Sequence, residues 1–459
     1  MRKTLAAALV VAAVCAAQPF DWGLPPGFPA PVVPPDNPMS AAKVELGRHL
    51  FYDTRMSVNG TQSCATCHRR ELAFTDGLAR SKGATGEEHP RSSMSLINAA
   101  FAPSLTWADP ALIELEPQAL VPMFGTDPIE LGLRGHERRL LEELRGDDVY
   151  RRLFAAAFAG EAQPVTVANI TKALGAFQRT LVSARSPYDR YRYGGDASAI
   201  SEAAKRGERI FFSGEKAGCF QCHGGWNFAG PVRHAGRPST SVEFHNTGLY
   251  ERYPEPNTGL ARHTGNAADA GKFRAPTLRN IAVTAPYMHD GSIATLEEVI
   301  EHYAAGGRAR TNPNRSSILR PLNLTAGEKA DLIAFLHSLT DQEALNDPRW
   351  SNPWPVRRGA LAAPQSFWSM TSVDLMTAVT VSPFFSPSSS ALRRVMTLSM
   401  TFFPTRTVTW AMTSPSRTSV IFPVNWFLAD IGIFGFYHNS APHGKRIRAE
   451  SLILTKVIP

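Results

Sequence analysis

Cys64-Ala-Thr-Cys-His68 and Cys219-Phe-Gln-Cys-His223 are two copies of one five-residue pattern in a chain of 459 residues. In each, two thiols separated by two residues are spaced to bond the vinyl groups of a porphyrin, and the histidine that follows is placed to ligate its iron. Chance gives one such pentapeptide in roughly a thousand sequences, and two far more rarely. The competing reading is a four-cysteine zinc site built from the two Cys-x-x-Cys pairs. It leaves both histidines unexplained and needs a linker far longer than zinc half-sites use. The chain is therefore predicted to carry two covalently bound haem c groups.

Ahead of the first pattern stands Lys43-Val-Glu-Leu-Gly-Arg-His-Leu-Phe51, and ahead of the second Ala204-Lys-Arg-Gly-Glu-Arg-Ile-Phe-Phe212. Both have the spacing of an amphipathic helix leading by a short loop into the haem site, so the chain contains a repeat. Each repeat also closes on a helix. Thr166 to Val182 carries Ile170, Leu174, Phe177 and Leu181 on one face, and Thr325-Ala-Gly-Glu328 forms a capping box before Leu332, Phe335, Leu336 and Leu339. Leading and closing helices are expected to pack across each other around each haem. The predicted fold class is all-α: two cytochrome c-type helical haem domains in tandem, residues 25–190 and 196–346, with Ser186-Pro187 and Gly194-Gly195 marking a linker.

At the N-terminus, Arg2 and Lys3, an apolar run from Leu5 to Val14 and the small residues Ala16 and Ala17 read as a signal peptide over residues 1–17. That run is too short to span a bilayer, and no transmembrane span is expected. Cys15 offers a lipoprotein alternative, which Val14 before it disfavours. With the signal removed, every cysteine lies in a haem pattern. A periplasmic location fits, because haem c is attached outside the bacterial cytoplasm. The net charge of +8 does not point to nucleic acid: from Asp347 onward 11 Lys and Arg face 4 Asp and Glu, so the haem-bearing part is nearly neutral. Residues 356–459 are rich in Ser, Thr, Pro, Phe and Trp and show neither steady helical nor strand periodicity. They are expected to form a poorly ordered extension, with an ordered partner-binding module as the alternative.

The chain resembles a known family, the bacterial di-haem cytochrome c peroxidases, and within it the MauG-like (MbnH-like) branch. The likeness runs from about Pro25 to Pro355. It is most specific in the two haem patterns, in Glu71-Leu-Ala-Phe-Thr-Asp-Gly77 and in Phe273-Arg-Ala-Pro-Thr-Leu-Arg-Asn-Ile-Ala-Val-Thr-Ala-Pro-Tyr-Met-His-Asp-Gly291. The resemblance implies a division of labour in which the haem on His68 meets hydrogen peroxide and the haem on His223 holds a second oxidising equivalent. In the peroxidase branch a methionine fourteen residues after the histidine of the Tyr/Phe-His-Asp-Gly motif ligates the second haem. MauG-like proteins have tyrosine there, and fourteen after His289 stands Tyr303. The residues point the same way: Thr295-Leu-Glu-Glu298 reads as a capping box opening a helix on which Leu296, Val299, Ile300 and Tyr303 share an apolar face. Tyr303 is expected to point inward, with His302 and Met288 as the other candidates. A phenolate oxygen stabilises highly charged iron better than a thioether sulfur.

Many family members place a removable histidine sixteen residues after the proximal one. Ala84 stands there, so the first haem is expected to be open, with His89 close by in sequence. The segment from Pro117 to Glu130 resembles the family's distal segment, which implies Glu130 as acid–base, Gln118 as a polar pocket residue and Pro122 as a wall, with Asp127 as a rival acid. Trp107 matches the family's inter-haem tryptophan. Trp226, three residues past His223, reads as a packing residue or a charge relay. Thr284 and Pro286 match backbone-carbonyl ligands of a calcium ion, a match weakened by Ser92 where the family has asparagine. His289, Asp290 and Gly291 are expected to shape a loop at the haem edge.

The leading expectation is a periplasmic di-haem oxidoreductase that reacts with hydrogen peroxide and, MauG-like, oxidises a tryptophan or tyrosine of a bound partner protein through a high-valent two-haem state. The alternative is a cytochrome c peroxidase that takes electrons from a small periplasmic redox protein. A second alternative is a non-enzymatic di-haem electron carrier.

Overall fold

The computed structural model describes residues 20–355 and three short stretches, 379–384, 394–402 and 406–414. The expected signal peptide and most of the expected extension lie outside the described residues.

Residues 20–355 are predominantly helical, as expected. In the first half α1 (Ala41–Tyr52) leads into the single turn α2 (Cys64–Cys67), followed by α3 (Leu115–Phe124), α4 (Glu137–Gly146), α5 (Asp148–Ala157) and α6 (Val167–Arg179). After α7 (Pro187–Arg192) come α8 (Glu202–Phe212), the single turn α9 (Phe220–His223), α10 (Ala261–Thr264), α11 (Leu296–Ala304), α12 (Ala326–Ser338) and α13 (Gln342–Leu345). Two residues each of β1 (Phe244–His245) and β2 (Phe273–Arg274) pair antiparallel. Most of the longer helices begin where the sequence supplies an acceptor for first-turn amides. Ser40 accepts from Lys43 at α1, Ser201 from Ala204 at α8 and Thr166 from Asn169 at α6, while Thr295 with Glu298 and Thr325 with Glu328 form capping boxes on α11 and α12.

Both halves use one packing solution. α1 meets α6 at Gly47, where a Cβ would stand 2.0 Å from the Ala173 carbonyl oxygen, and α8 meets α12 at Gly207, where it would stand 2.0 Å from that of Asp331. The same added atom would lie 2.8 Å from the Cβ of Phe177 or Phe335. Helix backbones this close leave room for glycine alone. Leu46, Leu50, Phe51, Ile170, Leu174 and Phe177 fill the first core, and Phe211, Phe228, Leu332, Phe335 and Leu336 the second. Each such side chain contributes about 1.5–3 kcal/mol when fully buried.

The expected linker is only partly one. Ser186 caps α7, Pro187 takes its first turn, and Asp189 is buried against Arg279, whose Nη1 and Nη2 lie 2.8 and 2.9 Å from the carboxylate. Ser-Pro serves a turn and a helix start equally well, and the buried ion pair that separates them is not a sequence signal. Gly194 and Gly195 do turn the chain, with Gly195 at φ +72.

The two halves also exchange their ends. Phe28 stacks edge-on against Trp226 with ring centres 5.1 Å apart, and the Ala30 carbonyl accepts from the Ala235 amide at 2.8 Å. In the other direction, Ala344, Leu345 and Trp350 belong to the first core, and the Trp354 indole donates to the His49 carbonyl at 3.1 Å. The second domain, expected to run to residue 346, thus ends on the first core, and this return continues to Trp354.

Beyond residue 355, β3 (Val379–Phe384), β4 (Arg394–Phe402) and β5 (Arg406–Ser414) form an antiparallel sheet in that order, with Val381 opposite Leu398 and Leu398 opposite Trp410.

Candidate functional site

Each haem pattern opens onto its own cavity. Cys64, Cys67 and His68 line the first, and Cys219, Cys222 and His223 the second. Because the two cysteine pairs lie in different cavities, they cannot share a zinc ion. Among the described residues, no group of three or more His, Cys, Asp and Glu side chains is placed to hold a metal by itself.

Both histidines are oriented through Nδ1. That of His68 lies 2.8 Å from the Phe74 carbonyl oxygen, and that of His223 lies 3.2 Å from the Phe228 and 3.1 Å from the Pro276 carbonyl oxygens. A carbonyl only accepts, so Nδ1 carries the proton and Nε2 keeps its lone pair for iron. Burial lowers both imidazole pKa values, that of His223 to about 4, which keeps the rings neutral. Phe74 and Phe228 offer these carbonyls from left-handed backbone, φ 60 and 49, which bulky residues rarely adopt. The same strained conformation, six residues after His68 and five after His223, marks one demand, an acceptor aimed at the ligating ring.

Trp107, Arg274, Tyr287 and Met288 are among the residues that line both cavities. The Trp107 indole donates to the Ser92 carbonyl at 3.0 Å, and the Arg274 amide donates to the Trp107 carbonyl at 2.8 Å, which fixes the indole at the seam. The guanidinium of buried Arg274 meets the Thr106 and Ala275 carbonyls and the Met94 sulfur, and burial lowers its pKa to about 10 with no carboxylate to oppose it. His289 lines the second cavity, stacked on Phe273 at 3.8 Å between ring centres, and its buried Nε2 has no hydrogen-bond partner among the described residues, the Asp290 carboxylate standing 4.0 Å away. A buried cation with no carboxylate beside it is costly unless a ligand brings anionic oxygens. Haem carries propionate carboxylates. Paired thiols, a neutral Nε2 in each cavity and a cation at the seam together fit haem c in both.

Tyr303 lines the second cavity with Val299 and Ile300, the face of α11 expected to point inward. Burial pushes its phenol well above the usual range, so the phenolate form needs a cation such as iron beside it. His302 turns away: its Nε2 lies 3.0 Å from the Thr247 carbonyl oxygen. Met288 sits at the seam rather than on α11.

In the first cavity α3 presents Gln118 and, one turn later, Pro122, and the chain returning past its C-terminal end brings Glu130. Burial pushes the Glu130 carboxyl up to about 7, where it exchanges protons readily near neutrality. The rival Asp127 is exposed and paired with Arg262 at 2.7 Å. Ala84 is buried, its amide donating to the Glu130 carbonyl at 2.6 Å, and a Cβ on the neighbouring Gly83 would stand 1.9 Å from the Ile129 carbonyl oxygen. The loop is zipped to the Glu130 segment, and position 84 offers a methyl group alone. His89 lines the cavity with its Nε2 3.9 Å from Glu130 Oε1.

Trp226 lines neither cavity and packs between Phe28 and Phe101, at 5.1 and 4.8 Å. Thr284, Pro286 and Ser92 all line the first cavity, with the Ser92 hydroxyl donating to the Met288 carbonyl at 3.3 Å. Asp290 accepts from the Tyr250 hydroxyl at 2.6 Å, and a Cβ on Gly291 would stand 2.3 Å from the Ala79 Cα, so this turn presses on the first half. Sequence reasoning gave no role to Arg274 or to Phe74 and Phe228. Arg274 lies inside the quoted motif, but only its burial at the seam shows what it does.

A family model described as di-haem cytochrome c peroxidase matches residues 41–198. Cytochrome-c peroxidase IdrP1 of Denitromonas iodatirespirans is 38% identical over 375 residues, covering 76% of this chain and 96% of the relative. Methylamine utilization protein MauG of Methylorubrum extorquens is 36% identical over 318 residues, covering 68% of this chain and 82% of the relative. Among solved structures, a MauG-like protein associated with microbial copper homeostasis superposes with a TM-score of 0.71 at 47% identity, over 73% of this chain and 100% of that one.

Proposed function

The chain belongs to the family of di-haem cytochrome c peroxidases and MauG proteins, peroxidase-type oxidoreductases, and from that premise we propose that it cleaves hydrogen peroxide in the first cavity and, MauG-like, takes the two electrons from a tryptophan or tyrosine of a bound partner protein. The observation that carries this reading is Tyr303 in the second cavity, at the position where the peroxidase branch has methionine. When bound, the haems supply the redox chemistry, peroxide cleavage at the first and storage of oxidising equivalents at both. Glu130 takes a proton from one peroxide oxygen and returns it to the other, Gln118 orients the peroxide, and Pro122 walls the pocket. The first cavity, about 400 Å³ against about 200 Å³ for the second, has the room for a small substrate beside its cofactor. Trp107 is the oxidisable ring between the two sites, so the partner never has to enter either cavity.

We place the protein in the periplasm; among the described residues no helix is long and apolar enough to cross a membrane. A calcium ion at the Thr284 and Pro286 carbonyls, completed by water where Ser92 replaces asparagine, is part of the proposal. The likeness to a protein associated with microbial copper homeostasis makes a copper-handling protein the first partner to try.

The test is to add stoichiometric peroxide to the ferric protein and record the near-infrared spectrum, where charge shared between two haems absorbs. The native protein should develop such a band, and Tyr303→Met and Tyr303→Phe should each lose at least about nine-tenths of it, because neither side chain supplies the anionic oxygen that stabilises highly charged iron. The likeness to IdrP1, named a cytochrome-c peroxidase, favours a second reading in which a small redox protein supplies the electrons. A native protein with no such band that rapidly consumes a reduced cytochrome would establish that reading instead.

A further inference from the structure

We propose that His89 is a proton-relay residue of the first cavity, passing protons between solvent and Glu130. The proposal rests on peroxide being the substrate there. Each turnover breaks one O–O bond and makes two waters from one peroxide, with two electrons arriving from the partner through the haems and two protons arriving from solvent. One carboxyl must therefore be reset repeatedly, and a route to it is required.

His89 has the geometry of that route. Its Nε2 lies 3.9 Å from Glu130 Oε1, too long for a direct hydrogen bond but closed by one water or a small ring rotation. At its other end, Nδ1 lies 3.0 Å from the carbonyl oxygen and 3.1 Å from the amide nitrogen of Arg91. In one tautomer Nδ1 donates to that oxygen, and in the other it accepts from that amide. The ring can therefore gain or lose a proton at Nε2 without giving up its hold. The His89 amide donates to the Ser81 carbonyl at 2.8 Å, which anchors the ring, while residues 85–88 immediately before it are exposed and bring solvent to the same segment.

Burial keeps the ring ready to release protons. Burial lowers its pKa most, the Arg91 cation lowers it further, and its hydrogen bond to the Arg91 carbonyl and the Asp76 carboxylate oppose them. Glu130 faces it across the cavity. Of the other nearby charges, Glu88 is paired with Arg80 at 3.4 Å, Glu87 accepts from the Ile129 amide at 3.3 Å, and Lys82 pairs through its backbone with Glu88.

The test uses the haem-loaded full chain with His89→Gln, which keeps an acceptor and a donor but cannot exchange a ring proton. The expected result is a peroxide step of the ferric protein, followed by stopped-flow mixing, slowed at least about tenfold, with the peroxide concentration needed for half-saturation little changed, a larger solvent deuterium isotope effect and a displaced pH profile. On a Glu130→Gln background the same change should add nothing, because the relay acts through that carboxyl. The resting ferric spectrum should be unaltered. Three outcomes overturn the proposal: a rate and isotope effect like the parent's, additive losses in the double variant, or a low-spin to high-spin change in the resting spectrum, which would make His89 an iron ligand. If His89→Gln loads haem poorly, His89→Asn is judged by the same readouts. Should Glu130→Gln react with peroxide at the parental rate, the relay has no carboxyl to serve and the proposal falls; should the parent itself not react with peroxide, the peroxide reading of this cavity fails, whatever His89 does.

Discussion

Replacing Gly207 with alanine is expected to unseat the second half of the haem-bearing unit. The added Cβ would stand 2.0 Å from the Asp331 carbonyl oxygen and 2.8 Å from the Phe335 Cβ, both well inside contact distance and neither on a flexible side-chain end. α8 and α12 must then separate, opening the core around Phe211, Phe335 and Leu336. Forced overpacking of this kind costs about 1–3 kcal/mol when side chains can yield, and a backbone contact puts this case at roughly 3 kcal/mol or more. Gly47→Ala should do the same at the other crossing, against Ala173 and Phe177. Gly146→Ala is the control, since a Cβ there meets nothing within 4 Å and the substitution should be neutral or slightly stabilising. Thermal unfolding followed by circular dichroism, together with haem content per chain, measures all three. A Gly207→Ala protein with the parental midpoint and full haem content would show that the helices do not meet at this depth.

Glu130→Gln is expected to have the largest effect on chemistry. Gln118 and Pro122 shape the pocket, but Glu130 is the cavity's carboxyl that moves protons in the proposed reaction, and general acid–base groups of this kind contribute about 10²- to 10⁴-fold. The glutamine keeps size and polarity, so haem content and the ferric spectrum should stay as they are. The sign of the pH dependence follows from burial, which holds the carboxyl at about 7. Its base form fills as pH rises through that value, so the parental rate of the peroxide step should climb through neutrality and level off above it. The Glu130→Gln rate should be low and flat over the same range. Stopped-flow mixing with peroxide gives both curves. A variant that keeps the parental rate would move the proton chemistry to another group.

What was legible in the sequence was local. The two haem patterns, the capping boxes at Thr295 and Thr325 and the inward face of α11 all depend on residues within a few positions of one another, and the structure places them as expected. What was not legible depends on contacts distant in sequence. Nothing near Gly47 or Gly207 announces the carbonyl each faces, Asp189 reads as a loop carboxylate until Arg279 arrives from ninety residues later, and Arg274 reads as one basic residue in a motif until both cavities close on it. His89 sits between these cases. Its place after Ala84 is plain in the sequence, but its distance to Glu130 is a property of the folded chain.

The exchange of ends between the halves sets an order of assembly. The first core includes Ala344, Leu345 and Trp350, so a chain emerging from its N-terminus cannot finish that core until nearly all of the haem-bearing unit has appeared. The first half, although complete in its haem pattern by His68, must wait in an unfinished state while the second is made. Two halves that look like independent repeats are therefore committed to fold as one, and neither is expected to survive excision as a working fragment.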